Sequence, residues 1–430
     1  MKLGFVGAGY VGLVSGVMCA YIGHQVICID KDLSKIERLN KGESIIYEKN
    51  LQEHLRAQVA QNNIIFSSEF ALLKDCDAIF ICVGTPKGQD GSADLTYAYS
   101  ALLECAENVP DSCLLIIKST VPPTSCENMQ NLLKIKGFGH QIAANPEFLR
   151  EGSAVSDFLN GDRIVAGGNS KSLETIKQIY APLLDNGMKF LGCDTNTAEL
   201  IKYSSNSFLA IKLSFINEIS DLCAEINADI SLLAKGVGLD KRIGELFLNA
   251  GPGYGGSCFP KDTIALSCLA KNYSVPSMVL DAAINSNLAR YQKMADKIHT
   301  ILQKPCIITA LGLAFKEGTD DTRESPAIKI LNILAEKGYI IQIYDPVVSK
   351  NFSNIDISNS NIYDNIEEAC KNSHALAILT EWSEFSEINY HLIGKSMSEK
   401  RLIDLRLVCN VELAKTAGFD VYLLGKKHKL

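Results

Sequence analysis

Met1-Lys-Leu-Gly-Phe-Val-Gly7-Ala-Gly9-Tyr-Val-Gly12 opens the chain, and Gln25-Val-Ile-Cys-Ile-Asp30 follows shortly after it. The apolar run Leu3 to Val6 reads as a strand, and helical periodicity begins near Val11. Between them Gly7 permits a tight turn, Gly9 lets the backbone approach a pyrophosphate, and Gly12 lets the helix pack close to the strand. The free N–H groups of the helix start then face the phosphates. Asp30 ends the next apolar run, where a carboxylate accepts hydrogen bonds from both ribose hydroxyls of NAD and repels the 2′-phosphate of NADP. A glycine turn without ligand, with Asp30 as a helix cap, is the plainer reading. The glycines and the acid together favour a dinucleotide site with NAD as cofactor.

Working outward, LGFVG, QVICID, NIIFS, DAIFICVG and LLIIKST alternate with segments of helical period up to about Val121, the pattern of repeated βαβ units. A second alternation begins at Cys306 with CIITALGLAF and continues through IIQIYDP, ALAILTEW, RLIDLR and DVYLLG. From Thr197 to His299 the apolar residues recur at helical spacing, interrupted by a Gly-rich stretch at 251–256. The expected architecture is α/β, with two Rossmann-like doubly wound parallel-sheet domains joined by a helical middle region with a long central helix. The expected boundaries are 1–196 for the NAD-binding domain, 197–304 for the middle and dimerisation domain, and 305–430 for the C-terminal domain.

Composition narrows the class. The chain has 430 residues, enough for two or three cores. Its formal net charge of -7 supplies no basic field for nucleic acid. No apolar run approaches a membrane span and no signal peptide precedes the first strand, so no membrane partner and a cytoplasmic location are expected. The 14 cysteines lie singly, without Cys-x-x-Cys or a Cys/His cluster, which argues against a disulfide framework and predicts no metal site. Most, such as Cys82 in DAIFICVG, read as small buried hydrophobes.

One cysteine reads differently. In Gly251-Pro-Gly-Tyr-Gly-Gly-Ser-Cys258-Phe-Pro-Lys261-Asp262 the thiol follows a flexible loop and precedes a cation and a carboxylate. Lys261 favours a thiolate, and Asp262 can orient or activate water. Gly-rich loops are more often turns or phosphate cradles, so the pairing of this thiol with a dinucleotide site is the informative feature. A hydride acceptor alone takes an alcohol to an aldehyde. A thiolate adds to the aldehyde, the thiohemiacetal gives up a second hydride, and water releases a carboxylic acid from the thioester, with two NAD reduced.

Two further clusters gain meaning from that chemistry. Lys202 and Asn206 lie four residues apart and share one helix face, although such a pair is usually solvated surface. Asn145-Pro-Glu147-Phe148-Leu149-Arg150-Glu151 carries two carboxylates able to hold water or act as bases, although it also reads as a helix start with Pro at N1.

With these residues in view the chain resembles the UDP-glucose/GDP-mannose dehydrogenase family over nearly its whole length. The resemblance is carried by GFVGAGYVGLV, VGTP with DGSADL, KSTVPPTS, NPEFLREG, DRIVAGG, ELIKYSSNSFLAIKLSFINE, VGLDKRIG, GPGYGGSCFPKD, LGLAFKEGTDDTRESP, YDP and LTEW. It implies Cys258 as nucleophile, with Lys202, Asn206 and Asp262 stabilising the oxyanion or handling protons, and Thr120 and Glu147 positioning water. It implies NAD contacts from Val11, Asp30, Lys35, Thr85, Thr120, Glu151, Lys261 and Arg323, beside the glycine motif. It implies nucleotide-sugar contacts from Glu147, Phe148, Leu149, Arg150, Glu151, Lys202, Asn206, Phe247, Leu248, Asn249, Ala250, Gly251, Gly255 and Lys316. Arg242 is implied to reach the sugar site of a neighbouring subunit in a homodimer. GSCFPKD and the SFINE helix resemble the UDP-glucose branch, making UDP-glucose the expected substrate. Oxidation of GDP-mannose or a UDP-hexosamine is the nearest alternative. A two-electron hydroxyacid dehydrogenase would not need Cys258 or the second α/β domain, and a noncatalytic sensor would be expected to lose Cys258, Lys202 or Asp262.

Overall fold

The computed structural model describes residues 1–88, 90–348 and 356–427. The chain divides into two compact units, 1–205 and 206–430. The boundary falls inside one helix, Thr195–Ile226, whose 32 residues make it the long central helix expected from the sequence.

The first unit holds strands β1 (Lys2–Val6), β2 (Gln25–Ile29), β3 (Ile64–Ser67), β4 (Ala78–Ile81), β5 (Leu114–Ile117), β6 (Ile142–Ala144), β7 (Arg163–Gly167) and β8 (Lys189–Cys193). They form one sheet in the order β3-β2-β1-β4-β5-β6-β7-β8. All neighbours are parallel except β6 and β7, which meet antiparallel at Ala144 and Gly167. β4 and β5 are buried throughout, so both faces must be apolar and the sequence runs AIFI and LLII without alternation. Successive side chains serve opposite layers. Phe5, Phe80 and Ile116 pack with Val14 of the helix Tyr10–Tyr21 on one face, while Ile79, Ile81 and Ile117 pack with Leu102 on the other. Phe5 and Phe80 stack at 4.7 Å, anchoring the first layer. Burying each such side chain contributes about 1.5–3 kcal/mol.

The second unit has helices Ile230–Gly238, Phe259–Asn272 and Met278–Leu302 ahead of a six-stranded sheet. Its strands are β9 (Ile307–Leu311), β10 (Ile340–Tyr344), β11 (Ser360–Ile362), β12 (Ala375–Ile378), β13 (Arg401–Asp404) and β14 (Asp420–Leu423). They are parallel throughout, in the order β11-β10-β9-β12-β13-β14. In both sheets the strand order reverses beside the first strand, between β1 and β4 and between β9 and β12. Such switch points open a crevice at the carboxyl ends of the strands, where ligands of doubly wound folds bind.

The segment 145–150 is not a helix start. It leaves β6 as an extended loop, and the next helix begins only at Ala154. Among the described residues, no helix is long and apolar enough to cross a membrane.

Candidate functional site

In the first unit the glycine motif lies at the carboxyl end of β1. A Cβ at Gly12 would stand 1.8 Å from the Gly7 carbonyl oxygen, so only glycine lets the helix Tyr10–Tyr21 close onto the turn. A Cβ at Gly9 would meet nothing within 4 Å, and no side chain caps the helix there. The cradle therefore presents bare backbone N–H groups to open space, as a pyrophosphate requires. Asp30 is aimed by the same loop: its Oδ2 accepts from the Ala8 N–H at 2.8 Å and its Oδ1 from the Asp32 N–H at 3.0 Å. These residues fit NAD. Val11 stands in the first turn of the glycine helix, and Lys35 in the first turn of Leu33–Asn40, its N–H bound to Asp32. Thr85, after β4, donates its hydroxyl to the Thr120 carbonyl at 2.9 Å, joining two of the expected contacts.

Glu147 and Lys202 meet although 55 residues apart in sequence. The Lys202 ammonium donates to Glu147 Oε1 at 2.8 Å, and both side chains are at least 94% buried. Glu147 Oε2 also accepts from the Leu149 N–H, which fixes the carboxylate against its own loop. The Phe148 ring lies between two cations, with the Arg163 guanidinium 3.9 Å and the Lys202 ammonium 5.5 Å from its centroid. Arg150 is engaged by Asp157 in a bidentate pair at 2.6 and 3.0 Å. Leu149 and Glu151 flank it, half-buried.

Two supports of this half went unread in the sequence. Lys118 is buried at the end of LLIIK, and its ammonium donates to Asn145 Oδ1 at 3.1 Å and to the Tyr180 hydroxyl at 3.3 Å. Burial holds its pKa below the usual lysine range. Asn145 also donates to the Val165 carbonyl, so this network fixes the residue that leads into Glu147. Glu48 accepts from the Gly152 and Ala154 N–H groups and from the Tyr10 hydroxyl, tying the glycine motif to the segment after Glu151. A lysine closing an apolar run was the one sequence signal available, and Glu48 carried none.

In the second unit Cys258 immediately precedes the helix Phe259–Asn272, with its carbonyl accepting the Asp262 N–H at 2.8 Å. Its Sγ is 3.5 Å from the Ser257 hydroxyl. Asp262 is 1% exposed and serves two partners: its Oδ2 accepts from Asn206 Nδ2 at 2.6 Å, and its Oδ1 pairs with Lys261 Nζ at 2.8 Å. Cys258 is half-buried, whereas burial pushes the thiols of Cys19, Cys82, Cys113 and Cys370 up to about 12. Those four are held as unreactive thiols.

The loop before Cys258 is gripped by its backbone. The Gly251 N–H donates to Asn217 Oδ1 at 2.8 Å, and buried Arg290 donates to the Gly251 carbonyl at 2.6 Å. Asn287 holds both the N–H and the carbonyl of Tyr254. A Cβ at Gly255 would lie 2.2 Å from the Glu324 carbonyl oxygen, so this stretch backs directly onto the Arg323–Glu324 turn. Arg323 itself is exposed and pairs with Asp321. Leu248 and Ala250 are buried, Asn249 is exposed, and Phe247 adopts φ 63° with its ring 5.9 Å from Phe259. Lys316 is half-buried after β9. Arg406, absent from the sequence reading, donates to the carbonyls of Leu379 and Phe315 and stands against Gly251. Arg242 joins none of these clusters: it is 89% exposed and pairs with Asp240 two residues away.

A doubly wound sheet with a fitted dinucleotide cradle, and a thiol flanked by a buried carboxylate, define an NAD-dependent oxidoreductase. The chain matches the NAD binding domain of the UDP-glucose/GDP-mannose dehydrogenase family over residues 1–184, its central domain over 196–289 and its UDP binding domain over 309–411. It belongs to that family. It is 48% identical over 433 residues to a UDP-glucose 6-dehydrogenase of Rickettsia felis, covering 99% of this chain and 97% of that protein. A UDP-glucose 6-dehydrogenase of Bacillus subtilis is 39% identical over 434 residues, covering 99% of this chain and 98% of that protein. Among solved structures, a UDP-glucose dehydrogenase from Pyrobaculum islandicum superposes with a TM-score of 0.90 at 31% identity, covering 99% and 98% of the two chains.

Proposed function

We propose that this enzyme oxidises the C6 alcohol of UDP-glucose to the carboxylate of UDP-glucuronate, reducing two NAD per turnover. The observation that carries this reading is the half-buried Cys258 at a helix start, beside an Asp262 already bound to Asn206 and Lys261. The identity to proteins named UDP-glucose 6-dehydrogenase supports the substrate.

NAD, when bound on the glycine motif and Asp30, supplies the hydride acceptor. The protein's own groups do the rest. Lys202, oriented by its hydrogen bond to Glu147, steadies the negative charge that develops on the C6 oxygen as its proton leaves. Cys258 adds to the aldehyde carbon, and the positive end of its helix together with Asn206 stabilises the tetrahedral oxyanion. After the second hydride leaves, the acyl group is a thioester on Cys258. Water held by Thr120 and Glu147 attacks it, and Asp262 receives or relays the proton. Lys35, Thr85, Glu151, Lys261 and Arg323 are assigned to NAD. Arg150, Phe247 to Gly251, Gly255 and Lys316 are assigned to the nucleotide sugar. The cytoplasm suits a thiol nucleophile that must stay reduced.

A homodimer belongs to the same reading. Phe208, Phe215 and Leu222 recur every seven residues along Thr195–Ile226, and each is at least 52% exposed. Such an apolar stripe on a helix calls for a partner, and a second copy would give exposed Arg242 a sugar site to enter. Light scattering should give the mass of at least two chains. A single-chain mass at working concentration would remove the dimer.

The activity is tested by incubating the protein with NAD and a panel of UDP-glucose, GDP-mannose and UDP-N-acetylhexosamines. Two NADH per UDP-glucose consumed, with UDP-glucuronate as product, is the expected result. One NADH per sugar would contradict the thioester route, and preference for another sugar would contradict the substrate.

A further inference from the structure

We propose that Lys202, Glu199 and Asn196, spaced three residues apart on one helix, form the exit path for protons released at the Thr120–Lys202 cavity, with Glu199 as the carrier. The proposal rests on the oxidation assigned above, which leaves protons behind: one from the C6 hydroxyl and others from the water that cleaves the thioester. Lys202 is 4% exposed and its partner Glu147 7%, so neither hands a proton directly to solvent.

A small cavity is lined by Ser119, Thr120, Pro146, Glu199 and Lys202. An open surface groove is lined by Cys126, Glu127, Asp194 and Asn196. Glu199 connects them. Its Oε1 accepts the Cys126 N–H at 2.8 Å at the groove, and the residue itself lines the cavity. It is 3% exposed, and among the described residues its Oε2 has no hydrogen-bond partner. The Asn196 Oδ1, one turn nearer the groove, is likewise buried without a partner. Two unsatisfied acceptors three residues apart on one helix are costly features to retain in a fold. They are what a transient proton needs.

Burial pushes the Glu199 carboxyl up to about 7, partly offset by the polar groups of Cys126 and Thr124 beside it. The ionisable groups facing it are the Cys126 thiol, the Tyr99 phenol and Asp194, and Lys202 on its own helix lines the same cavity. Such a group takes and returns a proton near neutral pH with little driving force wasted either way. The transfer is balanced: the carboxylate accepts one proton from the cavity and releases one to solvent at the groove, ending ionised as it began.

The test uses full-length Glu199→Gln, which keeps an oxygen for the Cys126 N–H but carries no proton. Its kcat should fall by about tenfold, less than the 10²–10⁴ of a direct acid–base group. KM for UDP-glucose should hold, the kcat ionisation near pH 7 should vanish, and the solvent deuterium effect should grow. Glu199→Asp should restore part of the pH profile. A purely structural role would lower stability instead. Because the folded carboxyl titrates above its ordinary value of 4.5, the stability it provides is present below that pH and lost as pH rises through about 7. Glu199→Gln should therefore melt no lower than wild type in alkaline buffer. A variant with wild-type kcat and an unchanged pH profile would overturn the relay. So would infrared difference spectra against wild type that show no carboxyl titrating near pH 7, a readout independent of whether UDP-glucose is turned over.

Discussion

Cys258→Ser is expected to end steady NADH production, by on the order of 10⁴–10⁶-fold, while leaving the protein loaded with covalent product. The serine oxygen occupies the same place ahead of the helix Phe259–Asn272, with Asp262 still bound to Asn206 and Lys261. Addition to the aldehyde and loss of the second hydride therefore stay feasible. What changes is the leaving group. An oxygen ester is less activated toward water than a thioester, so hydrolysis becomes the slow step and the acyl-enzyme accumulates. Intact-protein mass spectrometry after incubation with UDP-glucose and NAD should show one added UDP-glucuronyl group, mapped to the peptide containing position 258. No other cysteine is a ready substitute in that loop, and many of the remaining thiols are buried. Near-normal NADH production with no adduct would mean that another residue is the nucleophile.

The sequence made the two parallel sheets legible through the strands buried on both faces. AIFI and LLII are solid apolar runs because β4 and β5 have a layer on either side. β6 and β11 escaped notice because three residues carry no period, and β8 because most of Lys189–Cys193 is exposed at the sheet edge. The site divides along the same line. Glycine spacing and Asp30 are local in sequence, so their chemistry was readable. The partners of Lys202 and Asn206, Glu147 and Asp262, are 55 and 56 residues away, and only the fold pairs them. Arg290, Asn287 and Arg406 act on backbone carbonyls and amides, a use of side chains that leaves no mark in composition or spacing. Glu199 resembled any acid on an amphipathic helix until its burial and its unpartnered oxygen were visible.

Lys202→Met should reduce kcat about 10²–10⁴-fold and also destabilise the first unit, and the two losses can be separated. Methionine fills much of the lysine stem's volume, so the cavity term is small. The charge term is large, because Glu147 is left as a buried carboxylate without its cation. Removing one member of a buried pair costs about 3–5 kcal/mol, and the urea midpoint should fall accordingly. Adding Glu147→Gln removes the stranded charge while keeping an oxygen for the Leu149 N–H, which the wild-type carboxylate accepts at 2.6 Å. The double variant should therefore regain most of the stability and none of the activity. Recovery of turnover along with stability would show that the pair only holds the loop 145–150 in place, and the ammonium would lose its assigned role at the C6 oxygen. Equal stability of wild type and Lys202→Met would instead show that Glu147 is neutralised by another group, with Lys118 a cation to examine because its charge interacts with that of Glu147.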